Sequence, residues 1–210
     1  MLIDPVAAAM KQNEFDFSAV PAAEVFKPKS TRLLILACSA TKKTGDGLTA
    51  IERYDGPLWQ TLKSADPLGE AAEVAYLSAK YGVGRASNPM PDYNTLMTPK
   101  IAATMKQRGL EGYYPYDGRE WLTAAGAARH AVARERIRTI GGELVMIGHT
   151  LPYGFEDVAV CGGRLYVDVI EALWPQMLDA GLVAPTASLT VINDQIGYMR
   201  AALKAWLKPS

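Results

Sequence analysis

Hydrophobic positions fall in two patterns along this chain: short dense runs, and longer stretches where apolar residues recur at helical spacing. The densest run, Leu33-Leu34-Ile35-Leu36-Ala37, lies between Arg32 and the polar stretch Cys38-Ser39-Ala40-Thr41-Lys42-Lys43. An unbroken apolar run of this length predicts a strand buried on both faces, over Arg32 to Ala37. A second run, Glu73 to Leu77, also gives way to a polar crest, Ser78-Ala79-Lys80-Tyr81. Leu144 to Ile147, followed by Gly148-His149-Thr150, predicts a third strand with the same kind of ending. Gly162 to Val167 predicts a further strand or strand end, and Ala187 to Ile192 a last one.

Between the runs the helical signals are clear. Pro57 suits the first turn of a helix from Leu58 to Ala65, with Asp55 or Gly56 before it. Pro99 to Arg108 predicts a second helix that stops near Gly109. Thr123 caps a third, running to Ile140 with Gly141-Gly142 as its stop. Val169 to Ala180 reads as a helix kinked near Pro175. Asn193 or Asp194 caps a terminal helix in which Ile196, Met199, Leu203 and Trp206 make one apolar stripe, expected to be buried. Strands alternating with helices predict an α/β fold with a mixed, largely parallel central sheet flanked by helices. Residues 1–30, punctuated by Pro5, Pro21 and Pro28, read as an N-terminal arm whose Phe15, Phe17 and Phe26 dock on the body. Residues 31–210 then form a single α/β domain.

Composition narrows the function classes. Of the 210 residues, 49% are hydrophobic, enough for a sizeable core. Lysine plus arginine equals aspartate plus glutamate, 22 each, so no global field holds a polyanion and any nucleic-acid surface is a local patch. No apolar run approaches the ~20 residues a membrane span needs, and the amino terminus has no basic leader, so a cytoplasmic location is expected. Cys38 and Cys161 are the only cysteines and make no paired motif, so no zinc site is expected, and no other metal or cofactor.

The crests are where the chemistry is expected. In open α/β sheets, ligands bind outside the carboxyl ends of the strands. If the three predicted strands are parallel neighbours, Cys38, Ser39, Lys42, Ser78, Lys80, Tyr81 and His149 surround one crevice. Hydroxyl and ammonium donors there suit an anion or a base carbonyl. Each residue also has a plain structural reading: Cys38 as a small buried hydrophobe, Lys42 and Lys80 as solvated lysines. Ser39 to Lys42 lacks the glycine frame of a Walker motif. Arg129, Arg134, Arg136 and Arg138, on the predicted third helix, form either a phosphate-contacting patch or a solvated face. Tyr113-Tyr114-Pro115-Tyr116 either stacks bases or packs.

Four segments in order carry a family likeness: Ala37-Cys38-Ser39-Ala40-Thr41-Lys42, Tyr54 with Pro57-Leu58-Trp59, Leu77-Ser78-Ala79-Lys80-Tyr81-Gly82, and Asp92-Tyr93 with Met97. This pattern resembles the YaaA-like superfamily of peroxide-stress proteins, and more closely its phage and bacterial domains of unassigned function with a CSxxK start and an LSAKYG middle. The likeness covers Leu33 to Met97. It implies an α/β fold and a connection to DNA. The expectation is a nucleobase- or nucleotide-binding protein that modifies or excises a base, as a transferase or N-glycosidase. Asp92 and Lys80 are the candidate catalytic residues. Cys38, Ser39, Lys42, Ser78, Lys80, Tyr81, Tyr93 and His149 are candidate ligand contacts. The alternative is a non-catalytic DNA-binding protein of stress response, or a phage accessory protein.

Overall fold

In the computed structural model, which describes residues 30–115 and 138–208, the run Leu33–Leu36 is the centre of the molecule. Strand β1 (Arg32–Ala37) buries Leu33, Leu34, Ile35 and Leu36 completely. Alternation sends them to two cores: Leu33 and Ile35 to one face of the sheet, Leu34 and Leu36 to the other. Burial on both faces is why the run carries no polar position.

Five strands form one sheet. They are β1, β2 (Glu73–Ser78), β3 (Gly82–Arg85), β6 (Phe155–Cys161) and β7 (Val183–Ile192), in the order β3-β2-β1-β6-β7. β2, β1, β6 and β7 are parallel, and β3 turns back antiparallel to β2. The fold is therefore α/β with a mostly parallel mixed sheet. A second, two-stranded sheet pairs β4 (Tyr113–Tyr114) with β5 (Arg138–Thr139).

Helices cover both faces. α1 (Ala50–Arg53) and α2 (Pro57–Ala65) follow β1, and α2 packs with α6 (Ile196–Trp206) on one face. α3 (Pro99–Arg108), α4 (Ile140–Gly148) and α5 (Arg164–Asp179) cover the other. α1 opens with a capping box: Glu52 N donates to Thr49 Oγ1 and Thr49 N to Glu52 Oε2. α2 opens with Gly56 at the cap and Pro57 behind it. A side chain at Gly56 would strike the Ser39 hydroxyl, so glycine lets α2 start against the crest of β1. The chain leaves β1 toward β2 on one side and β6 leads to β7 on the other, which puts the topological switch point between the carboxyl ends of β1 and β6.

Three expected elements differ. Leu144–Ile147 is not a strand but part of α4, which Thr139 caps by accepting from Gly142 N at 3.0 Å. Ile140, Leu144 and Ile147 point inward while Val145 and Met146 are exposed, which is helical spacing. A short apolar run cannot distinguish a buried strand from a buried helix, and here it misled. The expected helix Thr123 to Ile140 lies largely outside the described residues, but its end is corrected. Arg138–Thr139 are strand, and Gly141-Gly142 begin α4 rather than stop a helix. The third sheet strand is Phe155–Cys161, and Gly162 to Val167 is the turn and first residues of α5.

In α6, Met199 and Leu203 are buried as the spacing predicts, but Ile196 is 46% exposed. Trp206 is half-buried, with the Arg32 guanidinium stacked 3.9 Å from its ring and its Nε1 donating to Asp157 Oδ1 at 3.2 Å. Of the expected N-terminal arm, residues 1–29 lie outside the described residues. No helix among the described residues is long and apolar enough to cross a membrane.

Candidate functional site

Parallel pairing of β1 with β2 brings Cys38-Ser39 and Ser78 to the same edge of the sheet, as the two crests predicted. His149 does not join them. It caps the end of α4, near Phe155 at the start of β6 and near Arg85, whose guanidinium donates to Met146 O and Ile147 O. Those residues mark the amino ends of the parallel strands, so His149 lies at the opposite edge. The misplaced strand is the reason.

Hydroxyl groups gather at the crest of β1 and β2. Ser78 is fully buried; its Oγ donates to the Tyr93 hydroxyl at 2.9 Å and accepts from Lys80 N and Tyr81 N. A hydroxyl has one hydrogen and two lone pairs, so Ser78 is saturated and acts by positioning Tyr93 and the turn. The Tyr93 hydroxyl lies 2.5 Å from that of Tyr54. Cys38 Sγ sits 3.0 Å from the Tyr166 hydroxyl, on the first turns of α5, and interacts with Tyr93 as well. Cys38 is thus at the switch point, in contact with two phenols, and half-buried. Ser39 Oγ accepts from Thr41 N and closes the turn after β1. Lys42 places its ammonium 4.5 Å over the Tyr93 ring, with no carboxylate partner among the described residues. Lys80 stands 5.0 Å from the Tyr81 ring.

A cleft of about 440 Å³ opens beside this crest, toward β3. Tyr76, Tyr81 and Tyr114 line it, with Asp46, Asp92 and Arg138. Tyr81 joins cleft to crest: its ring meets Tyr93 edge-on at 5.1 Å. Gly82, at φ +65°, turns the chain from β2 into β3 and leaves room for the Tyr114 ring, which a Cβ would strike.

The walls of the cleft are tied by Arg53, which is 1% exposed. Its guanidinium donates to Lys43 O at 3.0 Å and Gly45 O at 2.7 Å in the loop after β1, and to Met90 O at 2.9 Å in the loop after β3. Asp92 Oδ1 lies 3.7 Å from it and accepts from Tyr93 N at 2.9 Å. Arg138 is paired with Glu143 at 3.3 Å. It belongs to β5 and stands on the cleft wall, while Arg129, Arg134 and Arg136 lie outside the described residues.

Burial raises the proton affinity of these phenols. Tyr54, Tyr93 and Tyr166 are held above the ordinary tyrosine range, and Tyr76 is pushed up from 10.0 to about 12, all chiefly by loss of solvent. An unfolded tyrosine loses its proton first, so the stabilisation is complete below pH 10 and fades as pH rises toward 12 and beyond. Burial likewise pushes the Cys161 thiol up from 9.0 to about 12, so the unfolding free energy should begin to fall near pH 9 and fall more steeply above pH 10, by about 1.4 kcal/mol per pH unit for each buried group kept protonated. Tyr76→Phe should make that fall shallower. An equal slope in the two proteins, from denaturant titrations at matched pH, would rule out the assignment of Tyr76.

The sequence picked out Cys38, Ser39, Lys42, Lys80, Tyr81, Asp92 and Tyr93, all of which lie at this crest or cleft. It missed Tyr54, Tyr76 and Tyr166, and the structural part of Arg53. Only Tyr54 left a signal, since it stands within the quoted family pattern. Tyr113 and Tyr114 lie in the small sheet, with Tyr114 buried in the cleft wall. Among the described residues no group of three or more His, Cys, Asp or Glu is placed to hold a metal ion. No family model matches the chain, and neither a curated protein nor a solved structure does.

Proposed function

We propose that the protein binds a nucleobase or nucleotide and acts on a base, as a transferase or N-glycosidase in the processing of DNA. The observation that carries this reading is the tyrosine-lined cleft at the carboxyl edge of the sheet, continuous through Tyr81 and Tyr93 with Lys42 and Cys38. Its volume falls within the range of small-molecule sites, and Tyr81 presents a partly exposed ring there, with Tyr76 and Tyr114 buried in the wall behind it. A base processed from DNA must leave its stack and enter such a pocket. Lys42, over the Tyr93 ring, and Lys80, beside the Tyr81 ring, lie next to the cleft and not on its lining, and they are the point charges offered to a phosphate attached to that base. Asp92 faces the cleft as the candidate acid or base. The YaaA-like motifs supply the same expectation from residues Leu33 to Met97. The balanced net charge favours a pocket over a broad polyanion-binding surface.

A panel of bases, nucleosides, nucleotides and short DNAs tests the reading, since a ligand that binds only the folded chain raises its melting temperature. Lys80→Ala should lower affinity for a nucleotide about tenfold. Its folding free energy should change by no more than about 1 kcal/mol. If no member of the panel shifts the melting temperature, the reading fails. Equal nucleotide affinity in the two proteins at matched salt would remove Lys80 from the site.

A further inference from the structure

The charges around the cleft are unequally committed. The Arg53 guanidinium is enclosed by three carbonyls and lies beside Asp92, and Arg138 has Glu143 as its partner. The carboxylates keep acceptor capacity. Asp92 Oδ1 receives Tyr93 N, while Oδ2 has no protein donor among the described residues. Asp46, exposed on the lining, has no ion-pair partner among them. The Asp92 side chain is 59% exposed on the lining, with the N–H of the next residue on one oxygen and the buried Arg53 guanidinium 3.7 Å away.

A carboxylate accepts and cannot donate, so the ligand edge that meets it must bring hydrogens. Two adjacent in-plane donors satisfy both oxygens at once, the strongest arrangement available to it. Adenine and cytosine present a donor beside a ring lone pair, and that lone pair would face negative charge. Uracil and thymine set one donor between two carbonyls. Guanine alone among the common bases sets a ring N–H beside an exocyclic amine. The repulsive term against the other bases contributes to selectivity as much as the bonds to guanine.

We infer that the cleft is selective for a guanine-type edge, a ring N–H next to an exocyclic amine, read by the Asp92 carboxylate. This rests on the base-binding reading above and adds which base. Calorimetric titration of the full chain with guanosine, inosine, 1-methylguanosine and adenosine tests it. Inosine lacks the amine and 1-methylguanosine lacks the ring N–H. Guanosine should bind at least about tenfold tighter than each of the others, the worth of one charge-assisted hydrogen bond. In Asp92→Asn that preference should shrink to within about threefold, because an amide offers one acceptor and one donor. Should Asp92→Asn fail to fold, the four ligands on the unaltered protein still decide, since they remove the donors one at a time. Guanosine binding no tighter than inosine, 1-methylguanosine or adenosine overturns the inference and leaves the base-binding reading standing. The same holds for a preference that survives unchanged in a folded Asp92→Asn. No binding by any of the four overturns the inference, and the base-binding reading is then decided by the wider panel of bases, nucleotides and short DNAs.

Discussion

Trp59→Ala should lower the unfolding free energy by about 3–5 kcal/mol. Trp59 stands on the first turns of α2 and is 1% exposed. Its indole N–H donates at 2.8 Å to the carbonyl of Ala37, the last residue of β1. Its ring lies 4.8 Å from that of Tyr54. It belongs to the core formed by Leu34, Leu36, Leu62 and Leu203. Truncation therefore loses a large apolar surface, opens a cavity between sheet and helix, and frees a buried carbonyl just before Cys38. Trp59→Phe refills most of the cavity and loses the hydrogen bond, so it should cost about 1–2 kcal/mol. Urea titration with an unchanged denaturant slope is the measurement. A Trp59→Ala loss below about 1 kcal/mol would mean that α2 is not held to β1 through this side chain.

Arg53→Met should cost about 3 kcal/mol and should weaken nucleoside binding as well. The replacement matches the length of the side chain and its apolar stem but leaves the carbonyls of Lys43, Gly45 and Met90 without their donors. Hydrogen bonds from a charged donor contribute about 1.5–3 kcal/mol each. Water recovers part of that at the two carbonyls nearer the surface. Asp92 also loses the guanidinium behind it. Arg53→Lys should restore only part of the stability, because a single ammonium cannot span two loops as a planar fork does. Denaturant titration read beside nucleoside titration separates the two effects. Arg53→Met with wild-type stability would show that the loops after β1 and β3 hold their shape without it, and wild-type affinity would show that the cleft does.

The sequence of β1, apolar without a gap, was enough to place a doubly buried strand, and its polar ending was enough to place a crest. Both are local consequences of burial and period. The same holds for β2, for α3 with its proline start and glycine stop, and for the stripe Met199 and Leu203. Cys38, Ser39, Lys42, Ser78, Lys80 and Tyr81 were legible for the same reason, because they follow strands that parallel pairing brings to one edge, whereas Asp92 and Tyr93, in the loop after antiparallel β3, were picked out through the family pattern.

What only the tertiary structure decided is of a different kind. Whether Leu144–Ile147 became strand or helix depended on what it packed against. α4 buries one side of that run and leaves Val145 and Met146 in solvent, and His149 went with it to the far edge. Arg53 reads as a surface arginine until two loops fold over it and offer carbonyls to its guanidinium. Tyr166 lies far along the chain from Cys38, and nothing in either segment shows that β6 will run beside β1. That pairing brings a phenol onto the thiol at the switch point. Periodicity records which side of an element faces inward. Which elements meet there is settled by the pairing of strands remote in sequence, and the cleft is built from those meetings.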